Sequence, residues 1–148
     1  MMRLIAAVAV LGTVGTVPAA AQAQWDESRL ESGTVEFRLR NDDGAAIVLG
    51  CRVNGVYTGF EFPEPLEDTE RATLRGIPGG RQNVAVVRVN ERAFRVTGRG
   101  IDETLRLLRT SSRLTVRLAG ESADFEVFGS QSTVLGCLAR QEALPPGL

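Results

Sequence analysis

The stretch Arg113-Leu114-Thr115-Val116-Arg117-Leu118 carries an apolar side chain at every second position, which is the spacing of a β-strand with one buried face. The same alternation returns in Ala123-Asp124-Phe125-Glu126-Val127-Phe128, after a turn at residues 119–122. The two segments therefore predict a β-hairpin with one dry face. The residues expected to be buried are Leu114, Val116, Phe125 and Val127, and those expected to be exposed are Arg113, Thr115, Arg117 and Glu126.

A short helix is predicted after Gly129, where the apolar residues change to helical spacing behind two serines that can cap a helix. The serines are Ser130 and Ser132, and the apolar residues are Val134, Leu135 and Leu138. The helix carries Cys137, and the only other cysteine is Cys51. In an exported chain two cysteines predict a disulfide bond. A redox role is the alternative, but redox pairs usually lie close together as C-x-x-C.

Residues 1–23 have the composition of a secretory signal peptide, because Arg3 is followed by an apolar run and then by small residues that fit a cleavage site. The apolar run is about fourteen residues long, shorter than the roughly 20 that span a bilayer, so a membrane anchor is the less favoured alternative. Residues 24–148 have the length of one domain. We therefore expect a single β-rich domain in the periplasm or outside the cell, with no integral membrane segment after signal removal.

The composition argues against several chemistries. All seventeen basic residues are arginine, and the chain has no histidine, so no imidazole base, Ser-His-Asp triad or histidine metal ligand is available. The acidic residues between positions 61 and 70 lack the spacing of a calcium loop. We expect a protein without catalytic residues, cofactor or metal, although paired-carboxylate glycosidase chemistry stays open. Nucleic acid is a poor candidate partner, because the formal net charge is −1.

The rest of the chain resembles a series of short strands joined by turns. Strands are predicted at residues 34–40, 45–53, 56–62, 72–75, 84–89 and 93–97, a helix at 101–109, and an irregular lead-in at 25–33. Asn54-Gly55 predicts a two-residue type I′ turn, which needs positive φ at both residues. With the final hairpin this amounts to about eight strands and two short helices, which predicts a mostly β fold, a small antiparallel β-sandwich or open barrel.

Charge is distributed unevenly along the chain. Residues 24–70 carry four arginines against eleven acidic residues, whereas residues 71–148 carry twelve arginines against seven. The two halves either neutralise each other, which is the interpretation we favour, or leave a basic ligand-binding face. If their strands are neighbours in one sheet, seven arginines line one face and can hold carboxylates or phosphates: Arg38, Arg40, Arg75, Arg88, Arg95, Arg113 and Arg117. The alternative is that these arginines are simply solvated.

Three residues are candidates for contact with a partner, namely Trp25, Arg113 and Arg117. Trp25 lies close to the expected mature terminus and outside the patterned strands, so it either fastens the terminus to the domain or projects as a contact residue. The other prominent aromatic residues are Tyr57, Phe60 and Phe62. They either bind a glycan or a partner or belong to the core, and we favour the core because the chain has few aromatic residues.

Several segments resemble the TagO (VasI) family of type VI secretion accessory proteins. They are Ile47-Val48-Leu49-Gly50-Cys51-Arg52, a helix that leads into Arg113-Leu114-Thr115-Val116-Arg117-Leu118, Phe125-Glu126-Val127-Phe128-Gly129-Ser130, and a short helix that ends in Leu135-Gly136-Cys137. The hairpin is also similar to the carboxyl half of invasion-associated locus B proteins. An aromatic residue that such sequences tend to carry between the middle strands is absent, and Phe94 is the nearest candidate. The resemblance implies a non-enzymatic periplasmic or envelope protein and carries over no catalytic residue.

The leading interpretation is a non-enzymatic binding or accessory protein of the periplasm or envelope, associated with type VI secretion, whose partner is a protein or an envelope component. The alternative is an inhibitor of a hydrolase such as lysozyme, a role that suits small disulfide-bonded β domains. An inhibitor needs a loop that enters a cleft, and the candidate loops are residues 63–68 and 76–80.

The signal-peptide interpretation predicts that the exported protein begins between Gln22 and Trp25. Signal peptidase cuts after a small-x-small triplet, and the chain offers Ala19-Ala20-Ala21 and Ala21-Gln22-Ala23. The intact mass of the exported protein measures the cleavage position. Retention of Met1 in a membrane fraction would contradict the prediction.

Overall fold

The computed structural model describes residues 22–142. Most of the predicted signal peptide, residues 1–21, therefore lies outside the described residues, as do residues 143–148. The described chain contains nine β-strands and two α-helices. They are β1 (Asp26–Arg29), β2 (Val35–Arg40), β3 (Ala46–Arg52), β4 (Gly55–Glu61), β5 (Arg71–Ile77), β6 (Gly80–Asn90), β7 (Ala93–Val96), α1 (Gly100–Thr110), β8 (Arg113–Leu118), β9 (Glu121–Glu126) and α2 (Ser130–Glu142).

The nine strands form one sheet in the order β1-β2-β3-β4-β7-β6-β5-β8-β9, and every neighbouring pair is antiparallel. Strand β6 is eleven residues long and is shared, because residues 80–85 pair with β5 and residues 86–90 pair with β7. The strands on either side of β6 in the sheet contribute buried residues to one core cluster, so the sheet coils around that core. Within the described chain β1 and β9 do not pair. The predicted fold class, a mostly β antiparallel sandwich or open barrel, is confirmed.

The final hairpin, β8 and β9, has the predicted dry face. Its four predicted core residues are at most 2% exposed: Leu114, Val116, Phe125 and Val127. Three of the four residues predicted to face solvent are exposed: Arg113, Arg117 and Glu126. Thr115 is only half-buried rather than exposed, because it lies between Arg75 on β5 and Asp124 on β9, and its hydroxyl donates a hydrogen bond to the Asp124 carboxylate.

The two helices contact each other and cover the core beside β3, β4, β5 and β6. Helix α1 buries Leu105, Leu107 and Leu108, and helix α2 buries Val134 and Cys137. A disulfide bond joins Cys51 on β3 to Cys137 on α2, with the two Cα atoms 5.4 Å apart. The predicted bond is therefore confirmed. The bridged residues are 86 positions apart, and closing a loop of that length restricts the unfolded chain by about 4 to 5 kcal/mol in the chain-entropy model.

The amino-terminal segment differs from its prediction, because residues 26–29 form strand β1 where an irregular lead-in is expected. The strand pairs with β2, with Asp26 opposite Arg38. Every residue of β1 is exposed, so the segment has no apolar alternation from which a strand could be predicted. Trp25 precedes the strand, and its indole Nε1 donates a hydrogen bond of 2.9 Å to the Ser130 hydroxyl at the start of α2.

The predicted type I′ turn at Asn54-Gly55 is wrong. Arg52 pairs with Gly55, so Gly55 already belongs to β4, and it does not have positive φ. The observed register differs from the expected one by an even number of positions, which leaves the same side chains on the buried face. The apolar pattern therefore cannot distinguish the two registers. Two successive residues with positive φ occur instead at Ala119 and Gly120, between β8 and β9.

The register of the final hairpin predicts unequal effects of two neighbouring substitutions. Phe125→Ala should lower the free energy of unfolding by about 3 to 5 kcal/mol, because it removes a buried ring. Glu126→Ala should change it by less than about 1 kcal/mol, because the carboxylate makes only an exposed ion pair. Urea denaturation of both variants measures the difference, and equal effects would show that the register is wrong.

Candidate functional site

Strands β6, β5 and β8 bring three arginines together on the outer side of the sheet. Arg75 on β5 lies directly opposite Arg81 on β6 and, on its other side, opposite Thr115 on β8. Arg117 on β8 lies opposite Thr73 on β5. We call this group of five residues, Thr73, Arg75, Arg81, Thr115 and Arg117, the arginine face. Together they line a shallow groove of about 420 Å³.

The three guanidinium groups of the arginine face have no acidic partner within residues 22–142. Arg75, Arg81 and Arg117 are exposed, and none of them takes part in an ion pair with any described carboxylate. Side chains directly opposite each other in an antiparallel pair have Cβ atoms about 4.5 to 5.5 Å apart, so like charges at such positions are destabilising. The pair of Arg75 and Arg81 therefore carries an electrostatic cost in the free protein.

The two threonines of the arginine face already use their hydroxyl protons. Thr73 donates to the Asn83 side-chain oxygen at 3.0 Å, and Thr115 donates to the Asp124 carboxylate at 2.5 Å. The hydrogen-bond donors that remain for a ligand are thus the guanidinium N–H groups. A groove with this set of groups can bind an anion.

The structure brings together only part of the predicted set of partner-contact residues. Arg117 belongs to the arginine face, but Arg113 forms an ion pair with Glu126 on β9, through Nη2 at 2.9 Å. Trp25 is half-buried and bonded to Ser130, so it fastens the amino-terminal strand to α2, the first of the two alternatives considered for it.

The condition for a common face of seven arginines is not met, because strand β2 is not adjacent to the strands that carry Arg75, Arg113 and Arg117. Arg75, Arg113 and Arg117 lie on the β5–β8 side of the coiled sheet, whereas Arg38, Arg40 and Arg95 lie on β2 and β7. All these strands belong to one sheet, but the sheet coils around a common core, so its two halves present their outer surfaces in different directions. Arg88 also lies apart, where it donates a hydrogen bond of 2.8 Å to the Leu66 carbonyl.

Arg81 is the member of the arginine face that the sequence prediction missed. The strand predicted at residues 84–89 starts four positions too late, since β6 begins at Gly80. Val84 and Val86 are buried, and the same alternation continued backwards would place Arg81 on the outward face. The predicted strand does not extend that far, because Gly79-Gly80 indicates a turn just before Arg81.

A second polar cluster lies on β2 and β4. The Tyr57 hydroxyl donates a hydrogen bond of 2.7 Å to one Glu36 oxygen, and Arg38 donates to the other at 2.8 Å. Arg38 also pairs with Glu61. The Tyr57 ring lies flat over Gly50, where a Cβ atom would stand 2.0 Å from the ring. The glycine is therefore required for this arrangement.

Electrostatics inside this cluster are balanced, in contrast to those of the arginine face. Burial, followed by the hydrogen bond to the negative Glu36 carboxylate, raises the pKa of Tyr57 to about 12. Burial of Glu36 opposes its ionisation, but the hydrogen bonds from Tyr57 and Arg38 outweigh it and lower the pKa of Glu36. The guanidinium of Arg95 lies 4.3 Å from the centre of the Tyr57 ring. These mutually satisfied groups support the sheet and offer little to an anionic ligand.

Neither a metal-holding cluster nor a membrane-spanning helix is found among the described residues. Across residues 22–142, no group of three or more His, Cys, Asp or Glu side chains is placed to hold a metal ion. The same part of the chain contains no helix long and apolar enough to cross a membrane. Comparisons with protein-family models, curated proteins and solved structures found no match to this chain. The resemblance to type VI secretion accessory proteins therefore stays a prediction.

The polar cluster of Tyr57, Glu36, Arg38 and Glu61, which we call the Tyr57 cluster, should make the stability of the fold depend on pH at alkaline values. The folded pKa of about 12 lies above the usual value of 10.0, so the cluster stabilises the fold fully below pH about 10 and loses this contribution as the pH rises towards 12. Tyr57 is the only tyrosine, so its ultraviolet titration reports this group alone. Glu36→Gln should lower the midpoint, because it removes the negative acceptor. A midpoint near 10 in the folded wild type would contradict the assignment.

Proposed function

We propose that this protein is a non-enzymatic binding or accessory protein of the periplasm or cell envelope, and that it engages an anionic partner through the arginine face. The observation that carries the proposal is the direct opposition of Arg75 and Arg81, with Arg117 on the next strand and no acidic partner for any of the three among the described residues. A partner that brings negative charge would remove a repulsion that the free protein must tolerate.

Localisation in an oxidising compartment is supported by the disulfide bond between Cys51 and Cys137, because such bonds persist in the periplasm and outside the cell. The signal-peptide pattern of residues 1–23 supports the same compartment. We extend the proposal to participation in type VI secretion, which is supported by the resemblance of several segments to the TagO (VasI) family.

A hydrolase inhibitor is the second candidate, and it is favoured by the geometry of the acidic loop between β4 and β5. Leu66 anchors this loop, since it is buried, its amide donates to the Glu91 carbonyl at 2.9 Å, and its own carbonyl accepts from Arg88. Glu64 and Glu67 remain exposed on the anchored loop. An acidic loop anchored in this way is better preorganised for insertion into a basic cleft than a free one. The other candidate loop, residues 76–80, is held against α1, because Arg106 donates to the Gly79 carbonyl.

The proposal predicts that charge position, and not net charge, decides anion binding. A triple variant Arg75→Gln, Arg81→Gln, Arg117→Gln should elute from immobilised dextran sulfate at a lower salt concentration than a control triple variant, Arg29→Gln, Arg92→Gln, Arg99→Gln. Both variants lose the same charge, and the control arginines are exposed residues outside the arginine face. Each lost contact should also reduce the dependence of binding on salt.

Stability separates a binding role from a structural one. Arg81→Gln alone should raise the free energy of unfolding by about 0.2 to 1 kcal/mol, because it relieves the opposition to Arg75. Equal elution of the two triple variants would overturn the proposal. Inhibition of lysozyme that is lost in a Glu64→Gln, Glu67→Gln double variant, and kept in the arginine variants, would favour the inhibitor alternative instead.

A further inference from the structure

We propose that the arginine face is a binding site for a phosphomonoester, a phosphate group with one ester bond and therefore two negative charges near neutral pH. This inference rests on the proposed function and names the chemical class of its anion. The residues that would hold the phosphate are Arg75 and Arg81, which face each other across β5 and β6, and Arg117 on β8.

The hydrogen-bonding groups of the groove match a ligand that only accepts hydrogen bonds. Each guanidinium presents five N–H donors in a planar fork that fits phosphate oxygens in pairs. The hydroxyl protons of Thr73 and Thr115 are directed to Asn83 and Asp124, so they do not need an acceptor from the ligand. The terminal oxygens of a phosphomonoester can each accept more than one of the donors that remain. The groove volume of about 420 Å³ leaves room for the phosphate and the first atoms of its ester group.

Charge separates a phosphomonoester from the other common anions. The three arginines, which form no ion pair with any described carboxylate, carry three positive charges, and a carboxylate or a phosphodiester neutralises only one of them. A phosphomonoester carries about −1.5 to −2 at pH 7 and neutralises most of the excess. Directly opposed guanidinium groups are best relieved by one compact ligand that contacts both of them, since Coulomb energy falls with distance.

The charged groups around the groove favour a ligand position between β5 and β6. On the β8 side Arg113 is paired with Glu126, and Asp124 lies beside Thr115, so that side contains negative charge. Strand β5 carries a further positive residue, Arg71, two positions before Thr73 on the outward face. On β6 the next two outward residues after Arg81 are Asn83 and Ala85, which are uncharged. A dianion is therefore attracted towards Arg75 and Arg81 and kept away from Asp124.

The test uses small probes that differ in charge. Methyl phosphate, dimethyl phosphate and acetate are titrated into the full exported protein at constant ionic strength, and the N–H resonances of the arginine side chains are followed by NMR. Methyl phosphate should bind at least about tenfold more tightly than either monoanion at pH about 7.5. Its affinity should fall by about tenfold at pH about 5, because its second pKa is near 6 and most of it is then a monoanion.

The pH dependence identifies the ligand as the titrating group. The chain has no histidine, and the carboxylates that face the site are Asp124 and Glu126. Dimethyl phosphate keeps one charge at both pH values, so any change in its affinity with pH comes from titration of the protein. This change is subtracted from the change measured for methyl phosphate. Methyl phosphate binding that is independent of pH, or no tighter than acetate binding, would overturn the inference.

Variants locate the site on the arginine face. Arg75→Gln, Arg81→Gln and Arg117→Gln should each weaken methyl phosphate binding by about three- to tenfold. Arg92→Gln, in the turn at the opposite end of β6, removes the same charge and should leave the affinity unchanged. An equal loss in Arg92→Gln would show that only net charge matters and would overturn the assignment.

Vesicles distinguish a lipid headgroup from a soluble phosphate ester. Phosphatidic acid displays a phosphomonoester, and phosphatidylglycerol displays a phosphodiester. Selective binding to phosphatidic acid vesicles assigns the phosphate to a lipid, whereas binding of methyl phosphate without vesicle binding assigns it to a soluble ester, and both support the inference. Retention on dextran sulfate that depends on the arginine face, without preference for methyl phosphate, would overturn this inference and leave the proposed function intact. If the arginine face causes neither retention on dextran sulfate nor a preference for methyl phosphate, both this inference and the proposed function are overturned.

Discussion

The pairing of strand β6 with two different neighbours is the constraint on which the rest of the structure depends. Because residues 80–85 are hydrogen-bonded to β5 and residues 86–90 to β7, the two halves of the sheet share one backbone and cannot separate without losing a ladder. Helix α1 is placed by the same strand. A Cβ atom on Gly100, the first residue of the helix, would stand 2.8 Å from the Cβ atom of Val84 on β6, so the helix can approach this closely only with glycine there.

The coil of the sheet around β6 also decides which arginines can act together. Arg81 comes from the start of β6 and meets Arg75, whereas Arg95 pairs across the far part of β6 and lies beside Tyr57 instead. The same residue type thus has two electrostatic roles. Beside the Glu36 carboxylate, arginine belongs to a neutral cluster that supports the sheet. On the arginine face three guanidinium groups lack an acidic partner among the described residues, which is the arrangement expected of a site that awaits an anion.

The disulfide bond and the amino-terminal segment both hold helix α2. Cys51 on β3 is tied to Cys137 on α2, and Trp25 is bonded to Ser130 at the start of the same helix. Helix α2 is therefore held at both ends of its first two turns, although a helix of thirteen residues is marginal alone. A scaffold braced in this way keeps the exposed strands in fixed positions, so a ligand of the arginine face need not bear the entropic cost of ordering them.

Local pattern by itself determined the fold class, the dry face of the final hairpin, the helix at α1 and the cysteine pair, because each depends on side-chain periodicity or composition within a short segment. Strand β1 could not be predicted, since its residues are all exposed and its position comes from pairing with β2. The arginine face was decided only by tertiary structure. Arg117 is 36 positions from Arg81 in the chain, and their proximity depends on the strand order β6-β5-β8, a non-local pairing that no periodicity within one strand can encode.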